Sequence, residues 1–194
     1  YGLIDLHCDT LTGCWHADAG DPDTLDDPAR VLSLSAIPED VHWAQFYAVF
    51  IPDEERGQAA IDYYEKNRTN FRRQMEKFSN RVAPCRNADD MEQAWAAGKT
   101  AAFLTVENAS VLAGDLSRVH TLAEQGVRAI TLTWNGENEL GSGHVTDHGM
   151  SEFGRAAVRE MEKENILVDV SHLNDAGFAD LLEVVTKPFI ATHS

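Results

Sequence analysis

The chain has 194 residues, of which 43% are hydrophobic, and its formal net charge is −16 at pH 7. One sizeable core is expected, and no apolar run is long enough to span a membrane. The negative charge argues against two classes of partner, nucleic acid and anionic membrane surfaces. Three cysteines are a sparse and odd set, which predicts a reducing, cytoplasmic compartment rather than a disulfide scaffold.

Short apolar runs alternate with amphipathic stretches along most of the chain. The apolar runs predict six strands, over residues 3–6, 44–50, 101–106, 129–133, 167–170 and 189–192. Apolar residues at helical spacing predict helices over residues 54–78, 115–125, 151–164 and 175–185. An acidic, irregular excursion is expected over residues 20–42, with a small hairpin at residues 31–34.

Strands that alternate with helices are typical of a parallel sheet covered by helices. The predicted strands are almost wholly apolar, as expected when both faces of a sheet are covered. Two α/β folds fit this pattern, an open doubly wound sheet and a (β/α)8 TIM-type barrel. No G-x-G-x-x-G turn follows the first strand, which weakens the dinucleotide-binding form of the open sheet. Polar residues at the ends of several strands favour the barrel, whose active sites lie at that face.

A closed barrel needs eight strands, whereas the pattern predicts about six. The sequence therefore predicts a single catalytic barrel domain over residues 1–194, of the metal-dependent hydrolase type, with its last strands missing from this chain. The open edges of such a sheet would be a liability. More chain, or a partner such as a second copy in a homodimer, could cover them.

Side chains of metal-binding types stand at the ends of four predicted strands. They are His7 and Asp9 in LIDLHCD, Glu107 after AAFLTV, His172 after ILVDVS, and His193 in PFIATHS. Alternate side chains of an extended strand point the same way, so His7 and Asp9 can face one point. Mixed nitrogen and oxygen donors without a thiolate favour zinc, with manganese or cobalt as alternatives.

Glu107 suggests two metal ions rather than one. A carboxylate has two oxygens and can bridge cations that lie about 3.5–4 Å apart. His7 and Asp9 would then bind one ion and His172 and His193 the other, which leaves positions open for water. A buried ion pair is the alternative role for Glu107, but no basic residue stands in its strand.

Three residues beside the candidate ligands have less definite roles. Cys8 lies between two of them and should point to the opposite side of the strand, where it would pack. Asp169 and Ser171 precede the histidine of ILVDVSH. Either could orient a histidine ligand or could be buried with a backbone partner.

Four segments resemble, in order and spacing, the membrane dipeptidase (renal dipeptidase) family of zinc metallopeptidases in the amidohydrolase superfamily. They are IDLHCDT, TVEN, MSEFGRAAVREMEKENILVDVSHL and PFIATHS, and the resemblance covers essentially the whole chain. The resemblance implies a (β/α)8 barrel with a binuclear zinc site. Its ligands would be His7, Asp9, His172 and His193, with Glu107 as the bridge. It also implies hydrolysis of dipeptides, with a hydroxide that bridges the two ions as the nucleophile.

The chain departs from the family pattern in the segment LTWNGENELGSGH. Trp134 stands where family members with dipeptidase activity often have a substrate-contacting histidine. His144 could replace that histidine, and Trp134 and Asn135 are further candidates for substrate contact in this polar, flexible loop. The family's carboxylate-binding arginine and late catalytic aspartate would lie beyond Ser194. Two alternatives to a dipeptidase therefore stay open, a related amidohydrolase acting on another amide or ester and a metal-binding barrel without catalysis.

Overall fold

The computed structural model describes residues 2–11 and 25–194, which belong to two compact units. The first unit comprises Tyr1–Val49 and Glu65–Thr105, and the second comprises Phe50–Tyr64 and Val106–Ser194. The chain passes from one unit to the other inside two strands and one helix. The sequence has no change of composition at these points that would indicate a domain boundary. The prediction of a single domain stays a prediction.

Strands and helices alternate through the described ranges. The strands are β1 (Gly2–Cys8), β2 (His42–Phe50), β3 (Val82–Pro84), β4 (Thr100–Glu107), β5 (Val127–Thr131) and β6 (Leu167–Asp169). The α-helices are α1 (Gln58–Lys77), α2 (Ala88–Ala96), α3 (Ser117–Glu124), α4 (Glu152–Lys163) and α5 (Asp175–Leu182). Two short 3-10 helices cover Leu34–Ala36 and Ala109–Leu112. No helix in these ranges is long and apolar enough to cross a membrane.

The first unit is built on parallel strands. β1 pairs with β2, from Gly2 opposite His42 to Cys8 opposite Tyr47, and a shift in register interrupts the pairing between Asp5 and Cys8. β2 neighbours β4, and β3 pairs with β4 through Val82–Pro84 opposite Thr100–Ala102. Residues 44–49 of β2 are all buried, as expected for a strand covered on both faces.

The second unit contains the pair β5 and β6, which are also parallel, with Thr131 opposite Asp169 at their carboxyl ends. Helix α4 begins after Ser151, whose side chain accepts a hydrogen bond from Gly154 N, and it buries Ala157 and Met161. The start of α5 is capped in the same way by Asn174. The predicted parallel α/β arrangement is thus present in each unit.

The segment predicted as the sixth strand, residues 189–192, is not a strand. Ile190 makes one isolated parallel bridge with Asp169, and its N–H donates to Val168 O at 2.9 Å. Beyond it, the N–H groups of Thr192 and His193 donate to side chains rather than to a neighbouring strand. The strand prediction over residues 189–192 was therefore wrong, because side-chain acceptors replace the ladder there.

The sequence prediction also missed several elements, among them β3 and α2. Strand β3 has three residues, and helix α2 buries only Ala94 among its nine residues, so neither has a strong apolar pattern. The hairpin predicted at residues 31–34 is absent. The chain there forms bends and then a 3-10 helix, whose first residue, Leu34, donates its N–H to Leu25 O at 2.6 Å.

Gly154 generates a stability prediction. A Cβ at this position in the first turn of α4 would lie 2.1 Å from Leu140 O and 2.9 Å from the Leu140 carbonyl carbon. Because a backbone carbonyl in a packed unit cannot move aside easily, Gly154→Ala should destabilise the protein by about 1–3 kcal/mol despite the better helix propensity of alanine. Urea unfolding of the full-length protein measures the change.

Gly177→Ala in α5 is the matched control, since a Cβ there would meet the flexible end of Leu173, with Cδ1 at 2.7 Å. It should cost less than Gly154→Ala. Equal losses of unfolding free energy for the two variants would contradict the explanation from backbone contact.

Candidate metal centre

Three of the predicted ligands meet in the second unit. Glu107 is the last residue of β4 and is only 4% exposed. His172 Nε2 lies 3.0 Å from Glu107 Oε1, and His193 Nε2 lies 3.6 Å from the same oxygen. The two Nε2 atoms are 2.8 Å apart. A buried carboxylate is therefore faced by two imidazole nitrogens.

This donor set fits a metal ion. Zinc binds histidine nitrogen at about 2.0–2.1 Å and carboxylate oxygen at about 2.0–2.2 Å, so two ligands of a tetrahedral ion lie about 3.3–3.5 Å apart. The three separations between Glu107, His172 and His193, from 2.8 to 3.6 Å, bracket this distance. The carboxylate would supply negative charge and the two neutral imidazoles would supply lone pairs.

His172 reaches this position through an unusual backbone conformation. It follows β6 in a tight turn, in which Leu173 N donates to Val170 O at 3.1 Å, and its φ is +65°. Positive φ is uncommon for residues other than glycine and costs about 1–3 kcal/mol. The turn thus directs the imidazole of His172 toward Glu107.

The first unit holds the other predicted ligand pair. His7 Nε2 lies 3.4 Å from Asp9 Oδ1, with the histidine partly buried and the aspartate exposed. The register shift between Asp5 and Cys8 interrupts simple alternation, and His7 N donates to Asp5 Oδ1 at 3.1 Å. Burial raises the pKa of the Cys8 thiol to about 12, so this cysteine stays a neutral thiol and is a poor metal ligand.

The three predicted substrate residues lie on one loop of the second unit. Trp134 packs edge-on against Phe50, with ring centroids 4.8 Å apart. Asn135 is partly buried, and its carbonyl accepts a hydrogen bond from Val145 N at 3.1 Å. His144 is exposed, and its ring centroid lies 6.4 Å from that of His172. The structure thus brings His144 beside a candidate ligand.

This loop is fastened by residues that the sequence prediction missed. Asp53 Oδ2 accepts a hydrogen bond from Gly136 N at 2.7 Å, and Asp53 Oδ1 accepts one from Asn108 Nδ2 at 3.1 Å. Asn108 Oδ1 in turn accepts from Asn138 Nδ2 at 2.9 Å. The expectation of a flexible loop does not fit these bonds. The available sequence signal was Asn108 itself, which directly follows Glu107 in the motif TVEN.

The model of a known family, described as "Membrane dipeptidase (Peptidase family M19)", matches residues 1–194. The chain belongs to the membrane dipeptidase family. This confirms the relationship predicted from the four sequence motifs.

Individual relatives are similar over most or all of this chain. Dipeptidase tcpJ of Claviceps purpurea (strain 20.1) is 30% identical over 181 residues, which are 87% of this chain and 42% of that protein. The solved structure of dipeptidase AC, a metallo peptidase, has a TM-score of 0.90 and 24% identity, covering 100% of this chain and 63% of that one.

A metallo peptidase from Rhodobacter sphaeroides, solved with a phosphinate mimic of L-Ala-D-Ala, has a TM-score of 0.89 and 22% identity. It is matched over 100% of this chain and 65% of its own. These likenesses confirm the predicted α/β TIM-type barrel fold. The chain spans about two fifths to two thirds of the length of the three relatives.

A second buried carboxylate, that of Glu162, binds the segment that leads to His193. Glu162 on α4 is 8% exposed, and its Oε1 accepts hydrogen bonds from the N–H groups of Thr186 and Lys187, both at 2.7 Å. Its Oε2 accepts from Thr186 Oγ1 at 2.7 Å. Burial alone would raise the pKa of Glu162, but the hydrogen bonds from Lys187 and Thr186 outweigh it and lower the pKa below its ordinary value.

Glu162→Gln should therefore change how stability depends on pH. Because the pKa of Glu162 is lower in the folded than in the unfolded protein, its stabilising effect is present above the unfolded value of about 4.3 and is lost as pH falls through the folded value. We expect the variant to lose about 1–3 kcal/mol at pH 7 and less at pH 3. Urea unfolding of both proteins from pH 7 to pH 3 measures this.

Glu160→Gln on the same helix is the control, because Glu160 makes a surface pair with Lys163 at 2.6 Å, and such pairs contribute little. If the unfolding free energies of Glu162→Gln and wild type differ by the same amount at every pH, the pKa of Glu162 does not contribute to the pH dependence of stability and the prediction is wrong.

Proposed function

We propose that this chain carries the ligands of a binuclear zinc dipeptidase, with manganese or cobalt as alternative metals. The observation that carries the proposal is the buried Glu107 faced by the Nε2 atoms of His172 and His193, in a chain of the membrane dipeptidase family. Buried carboxylates need a compensating charge or hydrogen bonds, and a divalent cation between these three donors would provide the charge.

A second ion is proposed because the chain contains a second mixed donor pair. His7 and Asp9 are 3.4 Å apart at the end of β1, and the H-x-D pattern is part of the resemblance to the family. In the proposed assignment this pair would hold one ion, His172 and His193 would hold the other, and Glu107 would be shared between them.

When bound, the two ions would activate a water molecule for attack on the scissile peptide bond and would polarise its carbonyl group. Glu107 would have the catalytic role of positioning that water, because its carboxylate would help to hold the metal. His172 and His193 would bind through Nε2, so each keeps its proton on Nδ1. A dipeptide is the proposed substrate.

The loop after β5 supplies the proposed substrate contacts. Trp134, packed against Phe50, would present an apolar wall, and the side-chain amide of Asn135 would offer a hydrogen bond. His144, beside His172, would take the place of the substrate-contacting histidine of the family. Since the loop is fastened through Asp53 and Asn108, these groups would be held in place before substrate binds.

Trp134 in place of the family's histidine is the observation that favours a second candidate, a related amidohydrolase acting on another amide. A panel of L-L and L-D dipeptides and N-acyl amino acids, each assayed for kcat/KM with the zinc-loaded full-length protein, separates the two. Turnover of N-acyl amino acids alone would select the second candidate. Full metal loading without turnover of any amide would mean that neither is correct.

Glu107→Gln tests the shared ligand. A neutral amide cannot supply a bridging negative charge, so the variant should lose at least one tightly bound zinc ion. Substitution of a residue that only supports a ligand costs about 10–100-fold in metal affinity, and Glu107→Gln should cost more than that. Metal content after dialysis, followed by hydrolysis of the best substrate, measures both effects.

Glu124→Gln, an exposed change on α3, is the control and should keep metal content and turnover. Circular dichroism checks that each variant is folded. Two tightly held ions together with normal hydrolysis in Glu107→Gln would defeat the assignment.

A further inference from the structure

Asp169, the last residue of β6, is a buried carboxyl group at the centre of a hydrogen-bond network in the second unit. It is 1% exposed. Its Oδ1 accepts from Ser171 N at 3.0 Å, Ser171 Oγ at 2.8 Å and Thr192 N at 3.1 Å. Its Oδ2 accepts from Thr131 Oγ1 and Thr192 Oγ1, both at 2.6 Å. Five hydrogen-bond donors thus face the two oxygens of Asp169, as expected for an ionised carboxylate, which can only accept hydrogen bonds.

The network joins the two chain segments that carry the histidines. Ser171 precedes His172, and its Oγ accepts hydrogen bonds from Thr192 N at 3.0 Å and His193 N at 3.1 Å. The turn that carries His172 and the segment that carries His193 are therefore tied to each other through Ser171 and Asp169. Neither tie involves the imidazole of His172.

Thr192 also contacts the imidazole of His193. Its Oγ1 lies 2.6 Å from Asp169 Oδ2 and 2.9 Å from His193 Nδ1. A hydroxyl group has one proton to donate, and a carboxylate can only accept, so the proton of Thr192 points to Asp169. His193 Nδ1 must then be the donor in the other bond. A neutral imidazole that carries its proton on Nδ1 has its lone pair on Nε2, the atom that faces Glu107 and His172.

We propose that Thr192 is a positioning residue for metal binding, whose hydroxyl links His193 Nδ1 to the carboxylate of Asp169 and so fixes both the tautomer and the direction of His193 Nε2. Histidine ligands commonly donate their second N–H to a carboxylate or carbonyl, which orients the ring and strengthens the ligand. Here a threonine hydroxyl stands between the two groups. The inference rests on the proposed function, because it takes His193 as a metal ligand.

The chain provides a matched control for this role. Thr131 Oγ1 donates to the same oxygen of Asp169 at the same distance of 2.6 Å as Thr192 Oγ1 does. Thr131→Val and Thr192→Val each remove one hydroxyl bond from Asp169 and leave a side chain of similar volume. Of the two, Thr192→Val also removes the acceptor of His193 Nδ1–H.

The experiment measures zinc binding to the full-length protein by competition with a chelator, for wild type, Thr192→Val, Thr131→Val and Thr192→Ser. Thr192→Val should weaken one of the two zinc-binding steps by about 10–100-fold, and Thr131→Val should weaken it by less than about 3-fold. Thr192→Ser keeps the hydroxyl and should bind within about 3-fold of wild type. Urea unfolding of the metal-free proteins should give similar losses for the two valine variants.

A second readout is the tautomer of His193, observed by nitrogen NMR of the zinc-free protein. The proton should reside on Nδ1 in wild type and Thr131→Val, and the hydrogen-bonded Nδ1–H signal should be lost in Thr192→Val. Equal weakening of zinc binding in the two valine variants, or a wild-type proton on Nε2, would overturn the role of Thr192 while zinc binding itself stands. A wild-type protein that binds no zinc would overturn the proposed function as well.

Discussion

The arrangement of the two histidines depends on backbone N–H groups that leave the strand ladder and need other acceptors. Beyond Ile190, the side chains of Asp169 and Ser171 accept the hydrogen bonds that Thr192 N and His193 N donate. Thr192 and His193 are partly buried, and their backbone N–H groups are satisfied here by side chains rather than by a strand ladder. The regular strand β6 ends at the same carboxylate, and the candidate ligands begin where the ladder stops.

Much of the fold could be predicted because a long apolar pattern indicates one type of secondary structure. Strand β4 is buried over residues 101–107, and α4 buries Ala157, Val158 and Met161 along one face. Helix α2 escaped the same reasoning because it is short and polar. Its sequence signal was the helix start, where Asn87 is followed by Asp89 and Asp90 in the first turn. In the structure the side chain of Asn87 caps the helix by accepting a hydrogen bond from Asp90 N. Apolar periodicity alone cannot detect so short and polar a helix.

The candidate site was predictable in its residue types and only partly in its geometry. Glu107 and His193 each follow an apolar run, so the sequence places them at strand ends. The partners that fasten the loop are different, because Asp53 lies 83 residues from Gly136 and 55 from Asn108. Nothing in the local sequence of Asp53 indicates those bonds. Sequence reasoning thus finds the groups that carry the chemistry more easily than the polar residues that hold them in place.

The positive φ of His172 explains why those supporting residues are needed. A backbone conformation that costs about 1–3 kcal/mol persists only where its surroundings determine it strongly. On one side of the turn Ser171 N and Oγ are held by Asp169, and on the other side Leu173 N donates to Val170 O. Hydrogen bonds therefore hold the backbone on both sides of His172. A site built this way separates two tasks, because the carboxylate of Asp169 supplies rigidity while Nε2 of each histidine stays directed at Glu107.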